Sequence, residues 1–196
     1  MVKPKQKTSN VIKDIKSLLN VIDNIKNNNP DKTLFFRGQS KCFPNVTPSI
    51  DREDYLKSEN ILFREFILRN PDEFSDEKTT FEKLVKMQHY KLPTRLLDIT
   101  TNPLIALFFA VENYENEDGE FIVFAIPGDK IKYYDSDTIS VVANVAKRPF
   151  DKLDLSKLTK NIGELDKKFL DRFNASEEIQ YLLHEIKEEK PYFKDI

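Results

Sequence analysis

Between Gln88 and Ala110 the chain reads QHYKLPTRLLDITTNPLIALFFA, a dense polar cluster set directly against a helix with no polar face. Gln88, His89, Thr94, Arg95, Asp98, Thr100 and Asn102 all fall within fifteen residues. Such groups beside a core helix are hard to explain as solvated surface, because burying them without partners costs roughly 1–3 kcal/mol each. They must satisfy one another or face a ligand. The stretch therefore points to a site without naming a reaction.

The 196 residues, 33% charged and 39% hydrophobic, suit one well-packed domain. A formal net charge of −2 gives no general attraction to nucleic acid or to an acidic membrane. No apolar run approaches the ~20 residues of a membrane span, and the start MVKPKQKTSN lacks the apolar centre of a signal peptide, so a cytoplasmic protein is expected, with no membrane partner. Cys42 is the only cysteine, which rules out an internal disulfide, and two distant histidines leave no structural zinc pattern. No metal is expected.

Hydrophobic spacing predicts an α+β fold, a small mixed or antiparallel sheet packed with several helices. Asn10 to Asn28 carries apolar residues at helical spacing, with Ser9 or Asn10 as the N-cap. Thr33 to Arg37 reads as a strand that Gly38 ends, and Glu53 to Arg69 as a helix closed by Pro71. Thr79 or Thr80 caps a helix running into the polar cluster, and Pro93 breaks the path, leaving Thr94 to Thr100 as strand or loop. Asn102 followed by Pro103 starts a helix to Glu112 that is apolar on every side and so is expected to be central. Phe121 to Ile126 reads as a buried strand, turned by Pro127, Gly128 and Asp129 into a second strand over Lys130 to Tyr134. Ser136 to Lys147 and Ser176 to Glu189 look helical, joined by a Lys- and Asp-rich connection.

At LFFRGQS (Leu34 to Ser40), PSI (Pro48 to Ile50) and the long stretch from Gln88 to Ala110, the chain resembles the FRG domain family, named for the Phe-Arg-Gly that stands here as Phe36, Arg37 and Gly38. The resemblance covers roughly Thr33 to Pro127. Two positions depart from it: the family usually has glycine where Lys91 stands and often tryptophan where Ile99 stands. Family members also continue past the equivalent of Phe193 into a segment with Arg-Ile and Gln-x-Gly-x-Phe patterns, which this chain lacks. The resemblance implies a single domain over 1–196, with an N-terminal helical extension (1–32), a motif-bearing core (33–127) and a C-terminal helical part (128–196).

Arg37, after a strand and before a glycine, presents a guanidinium fork where backbone can approach an anion; it suits a phosphate or dinucleotide clamp, or equally a salt bridge to Asp98 or another carboxylate. Gln39 projects to the same face if the strand continues. His89 is the one histidine near either motif and is the candidate general base, with Gln88 beside it. Tyr90 can stack on a base or a nicotinamide, or fill the core. Arg95 and Asp98 are candidate ligand contacts whose common fate is an internal ion pair. His184 lies on a solvated helix face, and Glu164, Glu177 and Glu178 are acids that no spacing ties to the site.

An aromatic-Arg-Gly strand end with a second motif carrying His, Tyr and Thr is similar to the sparse arrangement of ADP-ribosyltransferases. That likeness implies NAD, an arginine on phosphate or ribose, an aromatic on nicotinamide and a later glutamate, none yet identified here, that steadies the ribose. A bacterial setting in phage defence or a toxin system is the context it suggests. The rival expectation is a noncatalytic module that binds a nucleotide, a nucleic-acid end or a protein partner, with the same arginines on phosphate. A magnesium nuclease is disfavoured, because Asp98 alone does not make a carboxylate cluster.

Overall fold

A computed structural model describes residues 11–52, 55–113, 117–153 and 167–194. The fold is α+β, as expected: the described residues form several helices and a two-stranded antiparallel sheet. The chain separates into two compact units, neither continuous in sequence: Met1–Val46 with Leu97–Ile131, and Thr47–Leu96 with Lys132–Ile196.

In the first unit, strand β1 (Lys32–Gln39) pairs with β2 (Glu120–Pro127) so that Phe36 lies opposite Val123 and Gln39 opposite Glu120. Helix α1 (Ile15–Asn27) starts later than its apolar pattern suggested. Its N-cap is Asp14, locked in a reciprocal capping box with Ser17; Ser9 and Asn10 lie outside the described residues. Leu18 and Ile22 of α1 join Phe36 and Ala106 in a buried cluster that Leu34, Leu107, Phe121 and Val123 complete. Each large side chain buried in this way contributes roughly 1.5–3 kcal/mol.

Gly38 does not end β1; the strand runs one residue further. The glycine serves a close approach by helix α2 (Pro103–Val111), since a Cβ at Gly38 would fall 2.6 Å from the amide nitrogen of Ala110 and nearer still to the carbonyl oxygen of Ala106. This contact also corrects the expectation of a central helix. Only the small residues Ala106 and Ala110 are buried, while Leu104, Ile105, Phe108, Phe109 and Val111 are about half exposed or more. A helix that rests its backbone on a strand must turn its small residues inward. The cap is as the sequence predicted, with Asn102 Oδ1 accepting from the Leu104 amide at 2.9 Å and Pro103 in the first turn.

The expected hairpin from Phe121 to Tyr134 does not form. Strand β2 pairs instead with β1, about eighty residues earlier, and Gly128–Lys130 is a single 3-10 turn. Tyr133 and Tyr134 are exposed, so residues 131–134 have no apolar face to bury against a strand.

The second unit is helical. Helix α3 (Ser49–Arg52) is short; α4 (Glu59–Arg69) begins after a 3-10 turn rather than at Glu53, whose placement is outside the described residues. Ile61 of α4 is exposed, whereas Phe63 is buried with Phe74, Leu84, Met87, Ala143 and Ala146. Thr79 caps α5 (Thr80–His89), and the Glu82 carboxylate answers the Thr79 amide at 2.8 Å, a bond that also holds Glu82 below the usual carboxylate range. Helix α6 (Asp137–Asn144) is capped by Ser136, and α8 (Glu177–Glu189) occupies the second predicted helical stretch. Between them α7 (Lys167–Asn174) emerges from the Lys- and Asp-rich connection, of which 154–166, with Glu164, lie outside the described residues.

Helix α5 ends on Lys91, whose φ of 63° is the left-handed conformation that favours glycine. The Leu92 amide donates to the Met87 carbonyl at 3.0 Å and the Lys91 amide to the Gln88 carbonyl at 2.9 Å, the two bonds of a Schellman cap. The backbone thus takes a glycine-type geometry with a lysine in it. Lys91→Gly is expected to raise unfolding stability by about 1 kcal/mol in a urea titration. Gly38→Ala is expected to lower it by roughly 3 kcal/mol, because backbone rather than a movable side chain blocks the added methyl.

Candidate functional site

Strand alternation sorts the Phe-Arg-Gly motif onto two faces of the ribbon. Phe36 and Gly38 face the helix side, while Phe35, Arg37 and Gln39 share the other face with Glu120, Ile122 and Phe124. On that second face Arg37 Nε donates to Gln39 Oε1 at 3.3 Å, and Gln39 Nε2 donates to Glu120 Oε2 at 3.2 Å. Arg37 Nη1 also donates to the main-chain oxygen of Asp98 at 2.8 Å. The structure thus brings Arg37, Gln39 and Asp98 together. Here the link runs to the Asp98 carbonyl rather than to its carboxylate.

The segment from Asp98 to Thr100 is positioned by Phe36, whose amide donates to Thr100 O at 2.7 Å and whose carbonyl accepts from Thr100 N at 2.8 Å. Two main-chain bonds thus tie the polar stretch to the centre of the Phe-Arg-Gly motif. Gln39 is buried, Arg37 and Glu120 are part-buried, and attraction between such groups and a ligand is less screened there than at an open surface. No local motif points to Glu120. Its place in the row follows from pairing it with Gln39, a register that no local pattern specifies.

Gln88, His89, Tyr90 and Arg95 belong to the second unit. Thr94, almost wholly buried, is its polar hub: its hydroxyl donates to Gln88 Oε1 at 2.5 Å and accepts the Leu96 amide at 3.2 Å. Ser49 of the Pro-Ser-Ile motif accepts the Thr94 amide at 3.2 Å, and the Ile50 amide donates to the Thr94 carbonyl at 3.4 Å. Those two motifs clasp each other. Arg95 forms a two-pronged ion pair with Glu59, Nε to Oε1 at 2.8 Å and Nη2 to Oε2, in which the Glu59 side chain is 7% exposed.

Tyr90 donates its hydroxyl to Glu73, which pushes the phenol above its ordinary value, and sets its ring 6.0 Å from that of Phe66. His89 is exposed and lines an open groove of about 530 Å³ with Asp76, Glu77, Glu82, Lys86 and Tyr134. Lys86 is held by Glu77 at 3.0 Å, so the groove's charge is mainly negative and disfavours a phosphate. His184 is exposed on α8, 3.5 Å from Glu188. Among the described residues no group of three or more potential ligands can hold a metal ion, and no helix is long and apolar enough to cross a membrane.

The Glu59–Arg95 pair gives this unit a direct test. Glu59→Gln leaves a part-buried guanidinium without its counter-charge and is expected to cost about 3 kcal/mol in chemical denaturation.

No curated protein and no solved structure matches this chain. The family model of the FRG domain matches residues 32–119, a span that holds Phe36–Gly38, the Ser49–Thr94 clasp and the whole polar stretch. The glycine that admits α2, the arginine bound to Asp98 and the left-handed turn after α5 all lie within it, and over those residues the chain carries an FRG domain.

Proposed function

We propose that this FRG domain binds a phosphate-bearing nucleotide, NAD in the first instance, on the ribbon face that carries Arg37, and that it acts there as an ADP-ribosyltransferase-like enzyme. The observation that carries the reading is the row Arg37–Gln39–Glu120, which sets a guanidinium, an amide and a carboxylate side by side. The donor set fits NAD in kind. By exchanging bonds they now make within the protein, Arg37 would offer its guanidinium to a phosphate and Gln39 its amide to a sugar hydroxyl, with Glu120 the carboxylate that such chemistry requires. Phe35 and Phe124, opposite each other on the same face, offer apolar rings for the nicotinamide.

NAD would supply a glycosidic bond with a good leaving group. The chain's own task is then electrostatic. Glu120 would hold a ribose hydroxyl and offset positive charge developing at the anomeric carbon, while Arg37 fixes the phosphates. The acid-lined groove at His89 does not suit the phosphates, which favours the ribbon face over it.

Calorimetric titration with NAD, followed by an assay of nicotinamide release, tests the reading. Glu120→Gln is expected to keep NAD binding within a few-fold and to lower release by about 100-fold or more, in the range of losses seen when one stabilising group is removed. Arg37→Ala is expected to abolish binding. Binding with no release would make the domain a noncatalytic nucleotide module; no binding of NAD, ADP-ribose or ATP by a folded protein would sink both readings.

A further inference from the structure

Strand β2 has one edge on β1 and another that no described residue covers. Because the Phe36 amide and carbonyl point to Thr100, the Phe36 and Val123 pair makes no hydrogen bonds across the ribbon, and the main chain of Val123 points outward. By the same alternation the amides and carbonyls of Phe121 and Ala125 point outward too. Among the described residues none of these groups has a hydrogen-bond partner. The edge carries the usual guards only at its ends, Glu120 and Pro127, since FIVFAI between them holds no charge, no proline and no glycine.

The row is self-complementary. An antiparallel copy turned about Val123 places Val123 opposite its own equivalent and Phe121 opposite Ala125, so that all the outward amides and carbonyls of both strands are paired. Side chains agree with this register: each phenylalanine meets an alanine on the helix side, and Ile122 meets Phe124 on the other. Glu120 falls opposite Ile126, so no like charges oppose each other. On the helix side, α1 packs into the same cluster as Phe121 and Val123 but leaves Ile15 and Leu19 about half exposed, apolar surface of the sort a second copy can cover.

We infer that β2 is a dimerisation edge, and that two copies of this chain join there in an antiparallel β2–β2 pair to form a continuous four-stranded sheet. The pairing uses main-chain groups and is independent of any ligand at Arg37. Formation of the outward bonds adds an edge-strand partner without disturbing the β1–β2 register.

Sedimentation or light scattering of the full chain at micromolar concentrations is expected to give twice the chain mass of 23.0 kDa. Ile126→Glu, which sets a like charge against the partner's Glu120 twice over, should weaken the dimer roughly tenfold, whereas Ile126→Lys should keep or tighten it. Val123→Pro, which removes only an outward amide, should yield a folded monomer by circular dichroism and scattering. A monomeric wild-type chain at 100-fold higher concentration overturns the inference. So does a dimer that withstands folded Val123→Pro but is lost in Phe108→Asp, which would move the interface to the exposed face of α2. Equal effects of the two Ile126 variants overturn the register.

Discussion

Helix α2 rests on the ribbon with main chain against main chain, and most of what distinguishes this fold follows from that contact. At Gly38 an added Cβ would strike the helix at Ala106 and Ala110, and at Gly119, just before β2, it would strike the Ala110 carbonyl. The approach is possible only because two glycines meet two alanines. It fixes which side of α2 is inward, holds the end of the ribbon where Gly38 and Gly119 meet under one helix, and leaves most of the large residues of α2 facing outward. Dispersion attraction falls steeply with separation, so a helix at this distance gains contact along its whole inner face that a single larger side chain would forfeit.

The same contact orients the arginine. With Phe36 and Gly38 committed to the helix side, strand geometry sends Arg37 and Gln39 to the opposite face, where Asp98 and Glu120 meet them. The three letters of the motif are thus three separate constraints: a core side chain, a polar anchor and an absent side chain. Thr100 ties them to the second motif through two main-chain bonds.

Features written in local chemistry were legible in the sequence. Thr79, Ser136 and the Asn102–Pro103 pair cap their helices because each supplies a side-chain oxygen or a preset φ where the first turn needs one. The strands at Phe-Arg-Gly and at Phe121 were visible, but the partner of β2 was not, because pairing across some eighty residues leaves no local trace. The orientation of α2 was hidden for a different reason. A helix apolar all round has no preferred face, and its direction is decided by the absence of a Cβ on another element. Glu59 and Glu120 stayed hidden for the reason β2's partner did: each acquires its meaning from a distant residue, Arg95 or Gln39.

Within the polar stretch itself, burial divides structure from chemistry. Thr94 and Gln88 satisfy each other, Arg95 is neutralised by Glu59, and Asn102 is spent on capping. Those groups account for the polarity beside an apolar helix without any ligand. The ribbon face differs in kind: its row runs guanidinium to amide to carboxylate, with Gln39 bonded to both charged groups. A buried amide that accepts from one and donates to the other fixes the spacing of two opposite charges on one face. That arrangement suits a ligand that carries an anion at one point and develops positive charge at another.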